Sequence, residues 1–154
     1  MNIPRCDWPK ALACQPKQTL KTWLDEWGAP WMIQPVQLTQ TGLAMLQLRD
    51  SAFNDPYFLG EIPLASAWVE LVTSDGERFQ GAAQLLDDDS EKIELLAVCD
   101  AVLAHQLPGW QALHQLLEMG LQQLSEQQAV RNAMLAKTRV DFALLNAAED
   151  DDDD

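Results

Sequence analysis

His105 and His114 are the two histidines of this 154-residue chain, nine residues apart across Pro108-Gly109. A zinc site or a nucleophile–histidine–carboxylate triad would need partners for them at ligand or hydrogen-bond spacing. Neither has a Cys or His placed so, and His105 falls where a helix C-terminus would favour a cation. Asp87, Asp88, Asp89, Glu91 and Glu94 are the densest carboxylates outside the terminal run. They lack the alternating ligands, central glycine and closing glutamate of a calcium loop. Acidic residues there suit instead the positive end of a helix that starts near Ser90. Gly60, Gly76 and Gly81 form neither a G-x-G-x-x-G nor a Walker loop, and no Gly-Lys-Ser/Thr occurs. These residues predict no catalytic site complete within the chain, no metal site and no cofactor.

Charge narrows the partners. The formal net charge is −14, and Glu149 to Asp154 supply six of the negative charges, which leaves −8 for the rest. A phosphate backbone is held by clustered Lys and Arg, so direct nucleic-acid binding is disfavoured. An acidic surface is equally unsuited to holding a nucleoside triphosphate alone. The terminal acids repel one another and predict a disordered tail over 149–154 beyond a single domain over 1–148. No apolar run reaches the ~18 residues that cross a bilayer, and the N-terminus has no signal-peptide pattern. Cys6, Cys14 and Cys99 are odd in number and widely spaced, as expected for reduced thiols in the cytoplasm.

The elements that must position any site follow from periodicity. Pro9 to Trp27 reads as helical with a break near Gln15 and Pro16; Leu20, Trp23, Leu24 and Trp27 share one face. Gly28 and Pro30 end it. Trp31 to Leu38 and Leu43 to Leu48 read as strands, with Thr41-Gly42 as the turn between them. After a loop at Asn54-Asp55-Pro56, Tyr57 to Ile62 is extended. Ala67 to Val72 and Arg78 to Leu85 flank Ser74-Asp75-Gly76-Glu77, a hairpin signal. A strong helix follows from Ser90 to about His105. Trp110 to Leu124 is another, and Ser125 with Gln128 resembles a capping box that opens a last helix to Lys137 or Arg139. N-terminal helices, an antiparallel meander of hairpins and C-terminal helices define an α+β fold.

Six tryptophans are many for this length, and Trp23, Trp27 and Trp31 crowd together. Aromatic residues are enriched at protein interfaces, so these three are interface candidates; filling the core is the alternative.

Several short stretches, taken in order, resemble one family. Thr41-Gly42-Leu43-Ala44-Met45-Leu46 resembles the T-G-L-V-M-V stretch of the PhnG family, the G subunit of the carbon–phosphorus lyase core complex. Arg49 follows, and Phe58-Leu59-Gly60-Glu61 is similar to that family's F-N-L-G-E. Asp75-Gly76 falls at its hairpin, and Asp89, Glu94 and the helix through Asp100 look like its D-x-x-x-x-E and A-L-L-D-A-L. Arg139-Val140-Asp141-Phe142 resembles its V-D-F-F-T terminus, and Trp8 with Leu12-Ala13 its start. The resemblance covers residues 5 to 145. The chain departs from the pattern at Ser51 and Ala52, where the family has Gly-Gly, and at Ala65-Ser66, where it has Thr-Arg. It departs again at Asp87-Asp88-Asp89, where the family has G-R-D.

The resemblance implies a cytoplasmic complex with the H, I and J subunits. That complex joins a phosphonate such as methylphosphonate to C1 of the ribose of ATP with release of adenine. The product is a ribose 1-phosphonate 5-triphosphate, which the J subunit cleaves by radical chemistry. Gly42, Arg49, Gly60, Glu61, Asp89, Glu94, Asp100, Asp141 and Phe142 are family-motif positions without an assigned role. The competing expectation is a non-catalytic adaptor domain unrelated to phosphonates.

Overall fold

The computed structural model describes residues 3–137. Two compact units divide the chain, one ending at Leu121 and the other beginning at Gln122. The acidic tail, Asp141 and Phe142 lie outside the described residues.

The first unit is α+β. A short 3-10 turn (Arg5–Asp7) leads into α1 (Trp8–Leu12) and α2 (Lys17–Trp27), separated at Gln15 and Pro16 as their sequence predicts. Three strands follow, β1 (Met32–Arg49), β2 (Pro56–Val72) and β3 (Arg78–Leu85), paired antiparallel in the order β1-β2-β3. Then come α3 (Ser90–His105) and α4 (Trp110–Lys137), the second of which continues past Leu121 into the second unit.

Helix α3 is the centre of the core. Ile93 and every residue from Leu95 to Leu103 are buried, and all of these but Asp100 are apolar, as a helix enclosed by other elements requires. Its N-cap is Asp89, whose Oδ1 accepts the Lys92 N–H at 3.0 Å. Its end is Gln106 in the left-handed conformation (φ +52°), and the Leu107 N–H closes the last turn on the Val102 carbonyl at 3.1 Å. On β2, alternate residues Ala65, Ala67, Val69 and Leu71 are buried on the face toward this helix. Small residues let the backbones meet. A Cβ on Gly81 of β3 would lie 2.2 Å from the Ala97 carbonyl oxygen and 2.4 Å from the Ala101 nitrogen.

Two elements differ from their sequence reading. Thr41-Gly42 is no turn: β1 runs through it, with Thr41 opposite Ala65 and Gly42 opposite Leu64. The chain reverses instead at Asp50 to Asp55. There Asp50 Oδ1 accepts the N–H groups of Ala52 and Phe53 at 3.1 and 2.6 Å, and Asn54 takes the positive φ (+58°) that the turn needs. Pairing with β2 is continuous from Gln40 to Leu46, and it outweighs the local breaker. Likewise Ser125 caps nothing, because α4 passes through it without interruption. Within the second unit the helical residues from Gln122 are largely exposed, with Gln122–Glu126 and Gln128–Asn132 side-chain pairs one turn apart.

Trp23 and Trp31 are 5% and 8% exposed, with ring centroids 6.2 Å apart, and the Trp23 Nε1–H donates to the Gly109 carbonyl at 3.2 Å. These two fill the core. Trp27 is half-buried against Gly109.

Replacing Gly81 by Ala should lower stability by about 3 kcal/mol, the upper end of over-packing costs, because the obstructing atoms are main chain. A shift of the urea midpoint with unchanged slope would register it; an unshifted midpoint would show that α3 can retreat without cost.

Candidate functional site

The polar cluster buried most deeply joins three parts of the first unit. Asp100, on α3, is 3% exposed. Its Oδ1 accepts from Arg5 Nε at 2.8 Å, and its Oδ2 accepts from an Arg5 Nη at 2.6 Å and from the Ala82 backbone N–H at 3.0 Å. The planar fork of a guanidinium matches a carboxylate in this bidentate fashion. Ala82 lies on β3, the edge strand, so the carboxylate satisfies a main-chain donor that β2 does not. Hydrogen bonding to Asp100 raises the Arg5 pKa. The pair sits at one end of a cavity of about 630 Å³ whose walls include Cys6, Leu38, Trp68 and Gln84.

This geometry holds the carboxylate in place. Both oxygens of Asp100 are engaged by hydrogen bonds. Sequence reasoning singled out Asp100 as a motif position but missed Arg5. No local signal links them, since they stand 95 residues apart.

A second polar group surrounds the start of α3. Lys17 of α2 pairs with Asp89 and Glu91 at 2.8 and 3.0 Å, Lys21 pairs with Glu91, and Lys92 reaches Asp87 at 3.4 Å. Of the carboxylates that superficially suggest a metal site, Asp87, Asp89 and Glu91 are thus engaged by lysines. Among the described residues, no three His, Cys, Asp or Glu are grouped to hold a metal ion. Asp87 is further held by the Asp89 and Asp88 N–H groups. The pKa values of Asp89, Glu91 and Asp87 are lowered, chiefly by Lys17, Lys21 and the Asp89 N–H respectively.

The other motif positions are dispersed. Glu94 accepts from the Thr39 hydroxyl and so ties α3 to β1. Arg49 donates to the Asn54 carbonyl at 3.0 Å across the β1–β2 turn. Gly60 pairs with Leu46 beside a register shift, Glu61 with Met45, and Gly42 with Leu64. Among the described residues no hydrogen bond or ion pair joins one of these positions to another. Of the departures from the family pattern, Ala65 is core and Ser66 lines the cavity near Arg5. His105 lies against Phe79 with centroids 5.0 Å apart, and His114 Nδ1 lies 3.6 Å from Glu118. Burial pushes the Cys99 thiol well up, which removes it as a nucleophile.

With the fold and these clusters in view, comparison with known proteins gives the class. The family described as "Phosphonate metabolism protein PhnG" matches residues 3–146. The chain belongs to this family. It is similar to the alpha-D-ribose 1-methylphosphonate 5-triphosphate synthase subunit PhnG of Rhizobium meliloti (strain 1021), with 32% identity over 121 residues, 77% of this chain and 72% of that protein.

Two measurements test these clusters. Asp100→Ala leaves Arg5 and the Ala82 N–H without their acceptor and should cost roughly 2–4 kcal/mol. Arg5→Ala should cost less, because the arginine side chain is 57% exposed and water can replace it. Equal, negligible losses on urea unfolding would show the cluster to be ornamental. For the lysine-bound acids the folded pKa lies below the ordinary 3.8 of Asp and 4.5 of Glu. Their stabilisation is therefore complete above about pH 4.5 and lost as pH falls through the lowered values. Melting temperature should decline over that acid range, and less so in a Lys17→Met/Lys21→Met variant; identical profiles would refute the assignment.

Proposed function

We propose that this chain is the G subunit of a carbon–phosphorus lyase core complex and works with H, I and J subunits in phosphonate catabolism. In this reading it helps form alpha-D-ribose 1-methylphosphonate 5-triphosphate from ATP and methylphosphonate, with release of adenine. The observation that carries the proposal is the match to a named synthase subunit over most of both chains. The arrangement of polar groups supports a role in assembly rather than in bond-making. Asp100 is saturated by Arg5 and Ala82, and Asp87, Asp89 and Glu91 are paired with lysines, so none of these four is an unengaged base. The acidic charge supports leaving the triphosphate to a partner. A cytoplasmic location belongs to the same proposal; no helix among the described residues is long and apolar enough to cross a membrane.

Adenine release from ATP and methylphosphonate tests it. The purified chain alone should release none above a mock purification. A mixture of H, I and J subunits should release it only when this chain is added. Release by the chain alone, or release that does not depend on it, would refute the proposal.

A further inference from the structure

An antiparallel sheet with a helix on one face ordinarily turns polar side chains outward on the other. Here α3 takes the face formed by Ala65, Ala67, Val69 and Leu71, and Ser66 and Trp68 point the opposite way. Beyond β3 the same outward face continues onto the β1–β2 ribbon. β3 pairs only with Ala65 to Val72, which leaves Pro56 to Leu64 of β2 paired with β1 alone. That ribbon extends nine residues on β2, about 30 Å at ~3.3 Å per residue.

Residues directly opposite one another share a face. The pairs Gly42–Leu64, Ala44–Ile62 and Leu48–Tyr57, with Leu46 opposite Gly60, therefore lie on one side of the ribbon. A register shift after Leu46 inserts Leu59 and keeps Leu48 and Tyr57 on that side. The face is thus an apolar stripe from Leu64 through Ile62, Leu46 and Leu48 to Tyr57, with Ser66, Gln40 and Gln84 between it and Trp68. Trp68 is 42% and Tyr57 45% exposed. No charged side chain interrupts it. A two-stranded ribbon with a dry face gains little alone in water and is completed by a surface laid against it.

We infer that this outer face is where the chain docks onto a different subunit of the synthase, one that offers an apolar surface bordered by basic groups. The inference rests on the proposed function, because only a multi-subunit enzyme supplies such a partner. Charge selects a different chain over a second copy. The chain carries −14, and Asp50 and Asp55 outnumber Arg49 at the open end of the stripe. Two copies meeting here would oppose like-charged bodies, whereas a basic-rimmed partner would be attracted.

The test uses the full chain co-expressed with H, I and J subunits, as wild type and as Leu48→Glu and Ile62→Glu. Circular dichroism of each isolated variant checks that the body stays folded. The wild type should co-purify, and the variants should bind at least about thirtyfold more weakly, the loss expected at an anchoring apolar side chain. Amide exchange over residues 42–48 and 57–64 should slow in the wild-type complex relative to the isolated chain, a readout independent of any variant. Co-purification of both variants at wild-type affinity, without that protection, would overturn the inference and leave the proposed function standing. An isolated wild-type chain that dimerises, with the dimer dispersed by Leu48→Glu, would overturn it too, since a second copy would then cover the face. A wild-type chain that co-purifies with none of the three would sink both.

Discussion

The structure depends on how closely α3 can approach the sheet. Main-chain atoms of Ala97 and Ala101 lie where a side chain on Gly81 would begin. Alanine at positions 65, 67, 83, 97 and 101 keeps the helix and strands nearly in backbone contact. Dispersion is short-ranged, so a seam this tight gains many weak contacts and tolerates almost no enlargement. It also decides what happens to the remaining polar groups. With α3 this near, the Asp100 carboxylate reaches the unpaired N–H of Ala82 across the seam, and Arg5 can close over both. Leucines in place of these alanines would part helix and strand and leave the edge donor without its acceptor.

A consequence of this packing is a division of labour between the two ends of the sheet. Near α3 the strands carry small residues inward and belong to the core. Away from it, β1 and the first half of β2 bury nothing fully. Stability and display are therefore separated along one ribbon. Residues on the overhang can therefore change without disturbing the seam.

Much of the fold was legible in the sequence because its signals are local. The Ser74 to Glu77 hairpin, the α3 boundaries at Asp89 and His105, and the break at Gln15-Pro16 each depend on a few neighbouring residues. Family membership was legible from Thr41 to Leu46, Phe58 to Glu61 and the α3 stretch in their order. What failed was also local in form but overruled from a distance. Thr41-Gly42 looks like a turn, yet Ala65 and Leu64 hold it in a ladder. Ser125 looks like a cap, yet helix continues on both sides of it. For Trp23 and Trp31 the sequence left core and interface open, and only the placement of Gly109 and of the two rings fills the core with them. The Arg5–Asp100 contact had no signal, because nothing in either neighbourhood refers to the other.

That contact has a temporal side. Arg5 leaves the ribosome 95 residues before Asp100, which at ordinary elongation speeds is roughly 5–20 s. Throughout that interval Trp8, Ala11 and Leu12, all buried in the finished protein, have no α3 to lie against. The turn at Arg5 is thus made well before the helix on which it settles. Loop closure over such a span adds an entropic barrier that only the completed α3 repays. Until then the nascent chain carries Trp8 and Leu12 uncovered, and water rather than α3 meets their apolar surface.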